Sequence, residues 1–274
     1  MRVVGTGHLL FALGLAGLGA LSLFSGDFPY TWEPVPAWVP MRELLAHLSG
    51  ILLIAAAAAL FVRRAAGPAA LALTAYLLGW VLVLQLPRAA QAPDNIGMWL
   101  GVAESTVLFT GGWALFASLS RTSGRMEFLT SPNALLFARV LFALACLVLG
   151  TSHFVYTAAT AGMIPTWIPA HLALAYLTGI GHTATGLAVL FGVLPRLAVT
   201  AEAVMITLFV VLLHIPAAIA EPASRLNWTM VFVATALAGA IWNLAATLAD
   251  KAWLWTRWAA PRPKMAIVHP PEWT

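Results

Sequence analysis

The sequence predicts an all-α polytopic membrane protein with eight transmembrane helices, built as two parallel four-helix repeats. The 274-residue chain is 61% hydrophobic and only 9% charged, whereas soluble domains carry about 25% charged residues. Apolar runs of spanning length, about 17–25 residues, occur eight times. A pattern of Pro, Gly and Trp residues also recurs once along the chain, which indicates an internal repeat.

The eight helices follow in order from the apolar runs. They are predicted near residues 4–24, 44–62, 68–86, 97–119, 134–155, 170–193, 197–215 and 228–248. The first run follows Arg2, and a basic residue before an apolar stretch is also typical of a signal peptide. However, Phe11-Ala12-Leu13 is matched by Phe142-Ala143-Leu144 in the fifth run. We therefore expect the first helix to be retained as the counterpart of the fifth.

The repeated pattern predicts a tandem duplication. Eight scarce residues of the first half reappear 129 positions later, namely Pro36, Trp38, Pro40, Gly50, Pro87, Pro93, Trp99 and Trp113. We expect a first repeat over residues 1–119, a cytoplasmic linker over 120–133, a second repeat over 134–250, and a cytoplasmic aromatic and basic tail over 251–274. Each repeat has an even number of spans, so both cross the membrane in the same sense. Their interface is either a central cavity or a packed seam.

The distribution of Lys and Arg predicts that both termini are cytoplasmic. Only Arg42, Arg88 and Arg225 fall on the opposite side, against eleven on the side of the termini. Because the chain has so few charges, its excess of basic residues indicates topology rather than nucleic-acid binding. In the tail, Trp residues around Arg257 are typical of an anchor at the membrane surface.

Each half carries a short proline–tryptophan loop before its second helix. The loops read V-P-A-W-V-P at 35–40 and I-P-T-W-I-P at 164–169. Prolines spaced four apart oppose a continuous helix, and Trp favours the membrane interface. We expect a re-entrant or surface-lying segment that either sets a helix boundary or contacts a substrate through Trp167.

The second of these loops carries a family resemblance. Together with Gly150, His153, Phe154 and the helix start Tyr176-Leu-Thr-Gly179, it resembles the DoxX-like family of bacterial integral membrane proteins. Residues 134–248 resemble the family's four-helix unit well, and residues 4–119 resemble a diverged copy. The resemblance implies a bacterial inner-membrane location. Some relatives are linked to thiosulfate–quinone oxidoreduction or amine-dehydrogenase maturation, but the resemblance implies no catalytic residue.

Ionisable side chains inside the predicted helices are the candidate functional residues, because charge in hydrocarbon is costly. They are His47, Glu104, His153, His171, His182, Glu202 and His214. A carboxyl group there is expected to be protonated unless it is paired, so Glu104 and Glu202 could relay protons or tie helices together. Their repeat counterparts are Val233 and Leu73, which predicts one functional site, near the interface or in the second half.

Three interpretations of the outer histidines remain open. His153, His171 and His214 are predicted near the outer surface, where they could bond loop carbonyls, a quinone or lipid head group, or copper or zinc. A haem is not expected, because no pair of histidines recurs between the halves. Cys146 is the only cysteine, which excludes an intramolecular disulfide and a thiolate metal site within one chain.

The function hypotheses follow from these residues. The first is an auxiliary subunit that binds a quinone or similar apolar ligand and supports a redox enzyme partner. The second is a small-molecule or proton-coupled transporter that uses the interface between the halves. The third is a structural membrane scaffold. Nucleotide-binding and nucleophile motifs are absent from the sequence, so a stand-alone enzyme is not expected.

Overall fold

The computed structural model describes residues 5–120 and 124–254. Within these ranges, eight helices are long and apolar enough to cross a membrane: α1 Thr6–Ser25, α2 Arg42–Ala59, α3 Ala66–Ala90, α4 Ile96–Leu119, α5 Pro132–Val155, α6 His171–Phe191, α7 Pro195–Ala220 and α8 Arg225–Ala246. The chain is an all-α, multi-pass membrane protein, which confirms the predicted fold class. The predicted tail anchor lies, from Trp255 onward, outside the described residues.

Local sequence signals set several helix starts. Ser131 accepts a hydrogen bond from the backbone N–H of Ala134, and Pro132 occupies the first helical position of α5. Ser224 caps α8 in the same way, through the N–H of Asn227. A side-chain oxygen at this position satisfies an N–H group that has no partner within the helix.

Helices α3 and α7 each contain a wider π-helical turn, at Trp80–Gln85 and Val210–His214. Pro87 and Pro216 follow two residues after these turns. Proline lacks the N–H group needed for an ordinary helical hydrogen bond, and the wide turn accommodates this loss. Both helices therefore continue past their prolines, to residues 90 and 220, and the sequence-based ends at 86 and 215 are too early.

The first helix of each half packs against the last helix of the other half. Helix α1 packs on α8 and α5 packs on α4, while α4 and α8 contact each other between them. Small residues allow this close approach: a Cβ atom on Gly14 would lie 2.3 Å from the backbone nitrogen of Ala236, and one on Gly111 would lie 2.2 Å from Cβ of Ala240. The seam along α8 is thus closely packed.

The connections α1–α2, α3–α4, α5–α6 and α7–α8 meet at one end of the bundle, here named the loop face. Arg225 donates to the backbone oxygen of Asp27 at 3.1 Å, and the Asp27 carboxylate pairs with both Arg225 and Arg42. The Tyr156 hydroxyl donates to Asn95 Oδ1 at 3.2 Å. These contacts join the α1–α2 connection to the start of α8, and the α5–α6 connection to the α3–α4 connection.

The two proline–tryptophan loops fold as tight turns on the loop face. In each, the N–H of the residue after Trp bonds the carbonyl oxygen of the first proline, at 3.2 Å in the first loop and 2.9 Å in the second. Met41 and Ala170 follow in the left-handed conformation, with φ of 53° and 60°, and α2 and α6 begin at the next residue. The side chains of Trp38 and Trp167 are 81% and 65% exposed. The loops therefore lie at the surface and set helix boundaries.

Candidate functional site

A cavity of about 490 Å³ lies between the helices of the second half and a wall that α4, Trp32 and Arg88 of the first half provide. Its wall is mostly apolar and includes Leu149, Ile206, Phe209, Met230 and Leu237. Its polar lining includes Glu104, His153, Thr178, His182 and His214, with Arg88 and Tyr156 at the loop-face end. Sites for small molecules typically measure ~300–1,000 Å³ and are largely apolar with a few polar groups. This cavity has that character.

A buried acid–base pair joins α6 to α7. His182 Nδ1 lies 2.5 Å from Glu202 Oε1, and each residue is only 1% exposed. The helices form an antiparallel hairpin whose turn contains Gly192 and Leu194 in the left-handed conformation, which places residues 182 and 202 opposite each other. Glu202 Oε2 is buried and has no hydrogen-bond partner among the described residues. His182 lines the cavity, and Glu202, which does not line it, bonds the Nδ1 atom of His182.

A second histidine lies beside this pair. His153, in the last turn of α5, places Nδ1 2.9 Å from Thr178 Oγ1 on α6. The imidazole rings of His153 and His182 are 4.8 Å apart, centroid to centroid, and meet edge to face. Phe209 on α7 stacks on His153 at 6.3 Å and meets His182 edge-on at 6.4 Å. An aromatic wall thus holds two imidazoles side by side at the cavity surface.

Glu104 on α4 is a first-half residue that lines the cavity. Its Oε2 accepts a hydrogen bond of 2.6 Å from the indole Nε1–H of Trp32, and both side chains line the cavity. Trp32 lies in the α1–α2 connection, so a loop-face residue holds a carboxyl group of α4. A short bond from an indole, which can only donate, fixes the orientation of this carboxyl group.

The corresponding interior of the first half is filled by the chain itself. In the segment 28–33, Phe28, Trp32 and Glu33 are all buried. Glu33 accepts hydrogen bonds from the Tyr76 hydroxyl at 2.5 Å and from the Ser49 hydroxyl at 3.0 Å. We name residues 28–33 the plug segment, because it occupies the space that remains a cavity in the second half.

The plug segment contains a buried carboxyl group outside the spanning helices. Burial raises the pKa of Glu33 to about 7, although hydrogen bonds from Tyr76 and Ser49 act in the opposite direction. Desolvation outweighs those bonds because it disfavours the charged form. Near neutral pH, the plug segment can therefore hold its carboxyl group in either protonation state.

The two halves differ at matching positions. Thr178, His182, Glu202 and His214 lie 129 positions after Ser49, Leu53, Leu73 and Gln85. Gln85 Nε2 donates to the backbone oxygen of Thr31 in the plug segment at 2.7 Å. At three of these four positions, the second half thus has an ionisable side chain where the first half has a neutral one.

Three candidates from the sequence lie elsewhere. The ring of His171 contacts the backbone oxygen of Pro165 at 3.2 Å, and that of His47 contacts the backbone oxygen of Glu43 at 2.8 Å. Trp167 is on the surface. None of them lines the cavity, whereas Glu104, His153, His182, Glu202 and His214 are brought together in or beside it.

The described part of the chain contains no group of three or more His, Cys, Asp or Glu side chains placed to hold a metal ion. In particular, His153, His171 and His214, which the sequence places at one depth, do not form such a group. His214 does line the cavity, and no described residue bonds its ring.

Sequence reasoning missed several cavity residues. Trp32, Arg88 and Tyr156 line the cavity, and Glu33 holds the plug segment. All four lie in connections or at helix ends, where no periodic pattern reports depth. The usable signal was the pair Trp32-Glu33, an acidic residue beside an aromatic one in an apolar connection.

Comparison of the chain with models of protein families, with curated proteins and with solved structures finds no match.

Proposed function

We propose that the protein binds a quinone or similar apolar ligand in the cavity of its second half, as an auxiliary membrane subunit of a redox partner. The observation that carries the proposal is the pair of imidazoles, 4.8 Å apart, on the wall of a largely apolar cavity. An imidazole can donate a hydrogen bond to the carbonyl oxygen of a quinone or accept one from the hydroxyl group of a quinol. The apolar wall suits the ring and its substituents.

The proposed setting is the bacterial inner membrane, with both termini in the cytoplasm, and it rests on the Lys and Arg distribution and on the DoxX-like motifs. The proposed tandem duplication is supported by matched local features. Both halves have a π turn before a proline and a left-handed residue before the second helix. In addition, Trp99 donates to the backbone oxygen of Pro93 at 2.9 Å, and Trp228 to that of Pro222 at 3.0 Å.

The test begins with protein purified in mild detergent. A redox difference spectrum is expected to show a quinone band that bleaches on reduction. Where the ligand is lost in purification, a benzoquinone with a ten-carbon chain is titrated into the protein in lipid nanodiscs, and binding is followed by calorimetry. Saturable binding at one site per chain is expected.

Matched variants locate the site. His182→Leu combined with Glu202→Leu removes both partners of the buried pair, so no unpaired polar group remains. Leucine already occupies both matching positions, Leu53 and Leu73, in the first half. Binding is expected to weaken at least about tenfold. His171→Leu on the same helix is the control, because His171 lies outside the cavity. Equal affinity in all three proteins would refute the assignment of this site.

Transport is a second candidate, favoured by the loop-face end of the cavity. Arg88 lines this end and makes no ion pair with any described residue. A cationic group at the mouth of an apolar cavity could attract an anionic solute. Counterflow of a labelled anion into proteoliposomes that depends on Glu104 or Glu202 would favour transport over redox support.

A further inference from the structure

We propose that the cavity binds the hydroxyl form of its ligand, a quinol or related phenol, in preference to the carbonyl form. His182 presents a hydrogen-bond donor to the cavity, and His153, 4.8 Å away, presents an acceptor. The inference rests on the proposed function, in that the ligand is of the quinone type. It adds which redox form the site selects and which residues select it.

The donor follows from the buried pair. Glu202 makes no contact with a cation other than His182, and its second oxygen has no partner in the described structure. An uncompensated negative charge is costly there, so the pair is neutral overall. A proton on Oε2 would be a buried donor with no acceptor in the described structure, so the shared proton lies between Oε1 and Nδ1. Whichever atom holds it, His182 Nε2 carries its own hydrogen and donates.

The acceptor follows from Thr178. Its hydroxyl lies 3.0 Å from the backbone oxygens of both Leu174 and Ala175. Carbonyl oxygens only accept, so the hydroxyl hydrogen points to them, and Thr178 Oγ1 must accept from His153 Nδ1–H. If the hydroxyl hydrogen pointed to His153 instead, its lone pairs would face two carbonyl oxygens. His153 Nε2 therefore bears no hydrogen and accepts.

One hydroxyl oxygen placed between the two rings satisfies both histidines, because it accepts from His182 and donates to His153. A carbonyl oxygen can satisfy His182 only and leaves His153 Nε2 without a partner in an apolar cavity. Sites built to bond a hydroxyl group discriminate strongly against analogues that lack it. We expect a preference for the hydroxyl form of at least about tenfold.

Other ionisable groups around the pair leave this assignment intact. Those that interact electrostatically with it are Glu104 on α4 and Cys146 and His153 on α5. Glu104 Oε2 already accepts from Trp32, and Cys146 is buried. None of these three is a cation that would hold Glu202 as a free carboxylate.

The experiment compares a ten-carbon-chain benzoquinone with its quinol, under anaerobic conditions, on the full chain in nanodiscs. The quinol is expected to bind at least about tenfold tighter, which raises the midpoint potential of the bound couple by about 30 mV. The dimethyl ether of the quinol, which cannot donate, is expected to bind no better than the quinone. His171→Leu is expected to behave as the unaltered protein.

Two variants are expected to separate the roles of the two histidines. His153→Leu removes the acceptor, so the quinol preference falls to within about threefold. The double variant His182→Leu, Glu202→Leu removes a donor to which both forms bond, so both forms bind more weakly and the quinol preference remains. Nitrogen-15 NMR of histidine-labelled protein checks the assignment without any substitution, and is expected to show Nε2 protonated in His182 and unprotonated in His153.

The outcomes separate this inference from the proposed function. Equal affinity for quinone and quinol, tighter binding of the quinone, or the opposite protonation of either Nε2 would overturn the inference alone. Failure of both forms to bind would remove the proposed function and this inference with it.

Discussion

Replacing Trp32 with Phe tests whether a loop-face residue holds the carboxyl group of α4. The indole Nε1–H of Trp32 donates to Glu104 Oε2 at 2.6 Å, and Trp32 is buried. Phenylalanine keeps an aromatic ring against the same neighbours but has no donor. The substitution therefore removes one hydrogen bond and leaves Glu104 Oε2 without this donor in a largely apolar cavity.

The magnitude follows from the cost of leaving a buried polar group unsatisfied, which is about 1–3 kcal/mol. For a chain of this size, each kcal/mol lowers the unfolding midpoint by roughly 2–4 °C. We therefore expect Trp32→Phe to lower Tm by about 2–12 °C. The control is Trp38→Phe, since Trp38 lies in the same connection, is 81% exposed and has no hydrogen-bond partner among the described residues. It is expected to change Tm by less than about 1 °C.

The assay is thermal unfolding in one detergent, followed by near-ultraviolet circular dichroism. A double-mutant cycle with Glu104→Val isolates the bond, because Val233 occupies the matching position of the second half. In the Glu104→Val background, Trp32→Phe is expected to lower the free energy of unfolding by at least about 1 kcal/mol less than it does in the unaltered protein. An equal loss in both backgrounds, or a loss no larger than that of Trp38→Phe, would refute the assignment of the bond.

Two further predictions concern packing and pH. Gly111→Ala is expected to destabilise the protein by about 1–3 kcal/mol, because the new methyl group would lie 2.2 Å from Cβ of Ala240. The control is Gly79→Ala, whose methyl group would meet no other described part of the chain within 4 Å beyond its own helix backbone. It is expected to be neutral or stabilising by up to about 1 kcal/mol, and a similar loss at both glycines would contradict the packing argument. Burial raises the pKa of Glu33 from 4.5 to about 7, so the folded state holds a proton that the unfolded state releases above pH 4.5. The stability from this proton is present at low pH and is lost as pH rises through about 7, a change of about 3 kcal/mol. Glu33→Gln is expected to flatten that slope in unfolding scans between pH 4.5 and 8, and an unchanged slope would show that another group carries it.

The number and approximate positions of the helices were predictable because hydropathy is a local property of the chain. Each spanning helix needs about 20 apolar residues in sequence, whatever its neighbours are. The predictions failed at Pro87 and Pro216, where the helices continue to Ala90 and Ala220. A proline ends a helix by its own chemistry, but neighbouring structure allows a π turn that carries the helix past it.

The candidate site was only partly predictable. Ionisable residues in hydrocarbon drew attention to His182 and Glu202, and their apolar counterparts pointed to the second half. The sequence could not say that these two residues touch, since residues on separate helices meet only after the helices have packed. It placed His171 beside His153 by depth alone, although depth does not report the direction around a helix axis.

The sequence by itself determined that this chain crosses a membrane eight times, because its apolar runs and few charges suit no other environment. It also marked Glu104 and Glu202 as ionisable residues whose counterparts in the other half are apolar. Only the tertiary structure decided that the first half is filled by residues 28–33 while the second half keeps a cavity of about 490 Å³. The reason is physical: a cavity is the volume that several packed segments leave empty, and it depends on how deeply a connection enters the bundle. No local pattern of residues encodes that depth.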